Sequence, residues 1–311
     1  MPYSPRLAAT DLFAGGDPQS TFITAQDGLR LHVREYAERN ACATPVVCLP
    51  GLTRTTADFE ALAPVLAYAE PKRRVIAIDS RGRGQSQYDA NPQNYNLAVE
   101  LADVIAVLTA LEISRAVFVG SSRGGILTML LAAAQPTAIA GAVLHDIGPV
   151  IELEGLARIK SYVGNLPQPG SFADGAENLQ RLFGPHFPKL TAEQWLAAAK
   201  RTWKLENGAL FLTYDARLGQ TLAEFDSENS LPPLWNEFDA LARVPVLVIR
   251  GANSDILSAE TVNAMRARHP DLQIIEVVDQ GHVPILEGHD LLGRIASFVR
   301  KCDRRPEISG A

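Results

Sequence analysis

The chain has 311 residues, 47% of them hydrophobic, 21% charged and 7% aromatic, a near-average globular composition that excludes collagen-like, coiled-coil and wholly disordered chains. Its length suits one large α/β domain with an insertion, or about two domains. The net charge is −6 with scattered basic residues, which argues against a nucleic-acid partner, and no apolar run approaches the roughly 20 residues of a membrane span.

Residues 21–25 and 29–36 are β-rich runs flanking Gln26-Asp27-Gly28, and Asp-Gly between two such runs predicts a hairpin. Val46-Val47-Cys48-Leu49 is a continuous apolar strand ending in Pro50-Gly51. Cys48 reads there as a small core residue, and three cysteines are too sparse for a disulfide framework. With no charged-then-apolar leader at the N-terminus, the expected setting is cytoplasmic. Helical spacing over 56–69 precedes a buried strand over 74–78 that ends at Asp79. Residues 97–111 place Leu97, Leu101, Val104, Ile105 and Leu108 on one helical face. A strand over 116–119, a nearly all-apolar helix over 125–134 and a strand over 139–144 follow. Such alternation predicts a mostly parallel sheet covered by helices on both sides.

The alternation stops between about 149 and 233. That stretch shows helical patterns over 153–163, 176–182 and 192–205 and no convincing buried strand. It is enriched in aromatics, and Trp195 and Trp203, eight residues apart, are expected to share a face of one helix. Strand 246–250, helix 259–268, strand 273–278 and helix 291–301 then resume the pattern. The expected organisation is an α/β core over 1–148 and 236–311 interrupted by a helical cap over 149–235.

The strongest chemical signal is Gly120-Ser121-Ser122-Arg123-Gly124-Gly125, between a strand and an apolar helix. It fits G-x-S-x-G with Ser122 as nucleophile; a register on Ser121 would put Val119 and Arg123 where glycines are needed. A sharp strand-to-helix turn strains the central residue and leaves no room for side chains two positions either way. A serine hydroxyl needs a base, and the base needs an orienting group. Of six histidines, His282 follows the last predicted strand, at the carboxyl edge where α/β sites lie. His289 starts the final helix, His269 ends another, His186 lies in the insertion, and His32 is within the second strand. His145-Asp146-Ile147-Gly148 spells H-D-I-G, a metal-phosphohydrolase-like tetrad, but it ends a strand without further ligands nearby.

Two carboxylates end strands, Asp146 before the cap and Asp255 after it. Asp255 is favoured, because its strand directly precedes that of His282 and sequential strands neighbour each other about two-thirds of the time. The order Ser122, Asp255, His282 is also that of one large hydrolase class. With no H-E-x-x-H, paired C-x-x-C, Walker loop or G-x-G-x-x-G after the first strand, no metal and no organic cofactor is expected.

These segments resemble the α/β-hydrolase superfamily. Leu49-Pro50-Gly51-Leu52-Thr53 is similar to its oxyanion loop, with Pro50 where His is commoner. Asp79-Ser80-Arg81-Gly82-Arg83-Gly84-Gln85-Ser86 is similar to its Asp-x-Arg-Gly-x-Gly-x-Ser turn. The resemblance covers about 22–148 and 236–302 and departs again at Arg123, where His, Met or Gln is common. It implies an eight-stranded, mostly parallel sheet with an inserted cap, and oxyanion donors from the backbone N–H groups of Leu52 and Arg123. The implied activity is serine hydrolysis of small to medium carboxylic esters or lactones, with a small apolar ester-like molecule as partner. A carbon–carbon bond hydrolase of vinylogous diketones would use the same triad, and a hydrolase-like ligand sensor can retain it.

Overall fold

The computed structural model describes residues 17–36, 41–222 and 232–303. The first half alternates as expected: β1 (Gln19–Thr24), β2 (Arg30–Tyr36), β3 (Val46–Leu49), α1 (Leu62–Tyr68), β4 (Val75–Ile78), α2 (Leu97–Ala110), β5 (Ala116–Ser121), α3 (Arg123–Ala134) and β6 (Ile139–His145). The last third supplies α7 (Trp235–Asp239), β9 (Val246–Gly251), α8 (Ala259–Arg268), β10 (Gln273–Val277) and α9 (His289–Lys301). Eight strands form one sheet in the order β1-β2-β4-β3-β5-β6-β9-β10. β1, β2 and β4 pair antiparallel, and every pairing from β4 across to β10 is parallel.

The short apolar runs explain this arrangement. β3, β4 and β5 are buried at every residue, which only an interior strand covered on both faces requires. One apolar cluster around Val47, Phe118, Leu127 and Val248 packs on one face of the sheet. A second, around Val46, Val119, Leu247 and Phe298, packs on the other. The parallel order brings the residues after β3, β5, β6 and β10 to one edge, where α/β proteins place their sites.

Between β6 and β9 lie α4 (Leu153–Tyr162), α5 (Phe172–Phe183), α6 (Ala192–Thr202), β7 (Trp203–Glu206) and β8 (Ala209–Leu212). A capping box between Thr191 and Gln194 starts α6. The helix expected to run to Leu205 stops at Thr202, because Asn207 and Gly208, with φ of 49° and 81°, turn the chain into a hairpin. Both central residues at positive φ is the twist-matched geometry that Asn-Gly favours. Trp195 and Trp203 therefore share no helix; one is on α6 and the other opens β7. They meet instead in the cap's own small core, with Leu179, Phe187 and Leu210. No helix among the described residues is long and apolar enough to cross a membrane.

Candidate active site

Ser122 sits between the end of β5 and the start of α3 with φ of 49° and ψ of −115°, a conformation that costs a non-glycine residue on the order of 1–3 kcal/mol. The flanking glycines make the turn possible. A Cβ on Gly120 would overlap the Gly124 carbonyl, and one on Gly124 would overlap the Leu49 carbonyl on neighbouring β3. The Ser122 N–H donates to the His145 carbonyl at 2.9 Å, and its Oγ lies 2.8 Å from His282 Nε2. His282 stands on the loop after β10, where the Gln280 side chain accepts from the Ile285 N–H at 2.6 Å.

The orienting carboxylate is not the one favoured from the sequence. His282 Nδ1 is 2.8 Å from Asp146 Oδ2. The premise of the Asp255 argument holds, since β9 does pair with β10, but Asp255 lies four residues beyond the end of β9. The intervening loop carries it outward to α4, where its two oxygens take both Nε and Nη2 of Arg158 at 2.5 and 2.7 Å. Burial alone would raise the Asp255 pKa, but the Arg158 guanidinium outweighs it and holds the carboxyl below its ordinary value. Asp146 is the residue immediately after β6, and its φ of 54° turns the side chain into the sheet edge. Fully buried, it accepts from the Gly251 N–H at 2.7 Å and the Ser254 hydroxyl at 2.6 Å as well as facing His282. Three partners leave this buried carboxylate well satisfied. The carboxylate that faces His282 thus comes from the H-D-I-G segment.

The expected oxyanion donors are the backbone N–H groups of Leu52 and Arg123. Among the described residues, neither the Leu52 N–H nor the Arg123 N–H donates to a protein acceptor, and Leu52 and Ser122 line the same cavity. One buried carboxylate ties their two segments together. Glu100 on α2 receives Arg83 Nη1 at 2.8 Å and Arg123 Nε at 2.6 Å, while Arg83 Nε donates to the Leu52 carbonyl at 2.7 Å. Burial raises the Glu100 pKa, and the two guanidiniums reverse that and lower it. The Arg123 side chain is therefore turned away from the cavity, towards α2.

Sequence reasoning missed His145. Its Nδ1 lies 2.5 Å from the Ser121 hydroxyl, and burial pushes its pKa down to about 4, so the imidazole is neutral at ordinary pH. The cavity above Ser122 measures about 280 Å³ and is bounded by His145, His282, Leu52 and, from the cap, Ile159, Phe183 and Trp195. Trp203 does not line it. The wall is not uniformly apolar, because Arg54, Asp58 and Arg201 also face it.

A family model described as the alpha/beta hydrolase fold matches residues 44–289. The chain is 32% identical to the 3-hydroxybutyrate-oligomer hydrolase of Cupriavidus necator, over 86% of this chain and 92% of that protein. It is 26% identical to the 2-(acetamidomethylene)succinate hydrolase of Mesorhizobium japonicum, over 75% and 79%. The crystal structure of an alpha/beta hydrolase from Novosphingobium aromaticivorans superposes with a TM-score of 0.86 at 39% identity, covering 92% of this chain and 99% of that one. The chain belongs to the alpha/beta hydrolase family.

Proposed function

We propose that this hydrolase cleaves small carboxylic esters through an acyl-enzyme on Ser122. The observation that carries the reading is the unbroken Asp146–His282–Ser122 hydrogen-bond chain opening into the capped cavity. His282 Nε2 takes the hydroxyl proton as Ser122 Oγ attacks the ester carbonyl, and Asp146 fixes the imidazole with Nδ1–H towards it. The charge on the carbonyl oxygen falls to the N–H groups of Leu52 and Arg123, each such donor being worth a factor of ~10²–10³ in kcat. The leaving alcohol takes the proton from His282. Water, deprotonated by the same imidazole, then releases the acid. The name of the Cupriavidus necator relative, an oligoester hydrolase, supports esters over carbon–carbon bonds.

The test is turnover of short 4-nitrophenyl esters by the purified protein, with peptide mass spectrometry after phosphonate treatment. Steady turnover with the adduct on the Ser122 peptide is expected. A single slow acylation without turnover would instead favour a ligand sensor, and an adduct elsewhere would remove Ser122 from the role.

A further inference from the structure

One side of the cavity is charged, and one of its guanidiniums makes no hydrogen bond to the protein among the described residues. Arg54 lies two residues beyond Leu52, and its Nε and Nη2 hold both oxygens of Asp58 at 2.7 and 2.6 Å. Arg201, in the last turn of α6, approaches the same Asp58 oxygen with Nε at 3.7 Å and Glu287 with Nη1 at 3.7 Å. Both distances are too long for hydrogen bonds, and the Arg201 guanidinium donates to no protein acceptor among the described residues. Two guanidiniums therefore crowd one carboxylate oxygen that the first already occupies. Glu287 is 36% exposed against 21% for Arg201, so solvent weakens its compensation, and Glu60, the third acid on this wall, is already held by Arg34 Nη1 at 2.5 Å. Burial and the neighbouring Arg54 charge lower the Arg201 pKa and outweigh Asp58, Glu287 and Glu60, which act to raise it.

An arginine with a free planar fork inside a cavity is suited to a two-oxygen anion. The place is close to the reacting centre. A Cβ on Gly51 would be 3.3 Å from Arg54 Cγ and 3.6 Å from Ser122 Cβ, so the stem of Arg54 starts beside the nucleophile. The opposite walls, Ile159, Leu179, Phe183 and Trp195, are apolar and suit a short hydrocarbon chain. We propose that Arg201, backed by Arg54, binds a free carboxylate carried by the substrate, so that the preferred substrates are short esters with an acid group at the end away from the scissile bond. This rests on the ester-hydrolase reading above and narrows it to a substrate class.

The probes are mono-4-nitrophenyl glutarate and its methyl ester, which differ in charge and hardly in length. The wild-type protein is expected to prefer the acid in kcat/KM by about tenfold or more, the worth of one charge-assisted contact. In Arg201→Gln that preference should fall about ten- to a hundredfold, mainly through KM. Arg201→Lys, which keeps the charge and loses the fork, should lie between. The ratio of two substrates on one protein is insensitive to how much of each variant is folded. Calorimetry on Ser122→Ala and Ser122→Ala/Arg201→Gln tests the subsite without chemistry. Tighter binding of the half-ester to the first protein alone supports it, even if no ester is turned over and the hydrolase reading fails. A wild-type ratio near one, or an unchanged ratio in Arg201→Gln, overturns the proposal.

Discussion

Two Ser–His–Asp hydrogen-bond chains run through the described residues, and one of them opens into a cavity. In the first, Ser122, His282 and Asp146 are joined at 2.8 and 2.8 Å. In the second, the Ser20 hydroxyl on β1 lies 2.9 Å from His32 Nε2 on β2, and His32 Nδ1 lies 2.7 Å from Asp79 Oδ2. Both acids are the first residue after a parallel strand, β6 and β4. What differs is the rest. Ser122 is bent onto a helix N-terminus beside backbone N–H groups without protein acceptors, under a cap. Ser20 lies in the edge strand of a regular antiparallel ladder, although Asp79, like Asp146, accepts two further hydrogen bonds, here from the N–H groups of Thr56 at 2.7 Å and Gln85 at 3.1 Å. Three side chains in line are common architecture; catalysis also needs donors aimed at a developing charge and a cavity to hold a substrate.

Substitution at the two serines gives the sharpest contrast. Ser122→Ala should lower kcat on a short nitrophenyl ester by on the order of 10⁴ or more, as loss of a triad nucleophile does, whereas Ser20→Ala should stay within about twofold of wild type. A comparable loss in both would erase the distinction. The acids come next. Asp146→Asn should cost a factor of about 10³–10⁴ in kcat. Asp79→Asn should act through stability, lowering Tm by removing a buried acceptor worth about 1–3 kcal/mol. Asp255→Asn should cost less than about tenfold, because it breaks a cap contact and no bond to His282. If Asp255→Asn proved the most damaging of the three, the acid would have to be reassigned.

A further expected effect concerns His145 and is read from pH. Its folded pKa of about 4 is below the ordinary imidazole value of about 6.5, so between these values the unfolded chain takes up a proton that the folded protein refuses. Stability is therefore lost as pH falls through that window, by on the order of 3 kcal/mol at most from this group. His145→Gln should show a shallower fall in Tm between pH 7 and 4 than wild type. Parallel curves would mean that His145 is not buried as a neutral ring.

Most of the sheet was legible in the sequence because interior parallel strands must be apolar on both faces, and the elbow because its glycines answer a steric demand. The pairing of Ser122 with His282 was expected from those segments, and that of His282 with Asp146 was not. Neighbouring strands were inferred correctly, but the loop after Gly251 carries Asp255 outward to Arg158 on α4, a course that the strand pattern does not encode. The signal that favours Asp146 is its place directly after the strand. The β7–β8 hairpin was legible and overlooked: Asn207-Gly208 announces it, inside a stretch whose helical periodicity dominated. The Glu100 bridge joins residues from four distant segments and has no local pattern to find.

Ser122 and Asp146 are both non-glycine residues held at positive φ, so the site is a local reservoir of conformational energy that the surrounding sheet keeps from relaxing. Folding works against catalysis at this point. Ser122→Gly and Ser122→Ala lack the same hydroxyl, yet glycine adopts the elbow conformation without penalty and alanine does not. The glycine protein should therefore be the more stable of the two, by up to about 1 kcal/mol after its greater unfolded-chain entropy is subtracted, as seen in paired denaturant titrations.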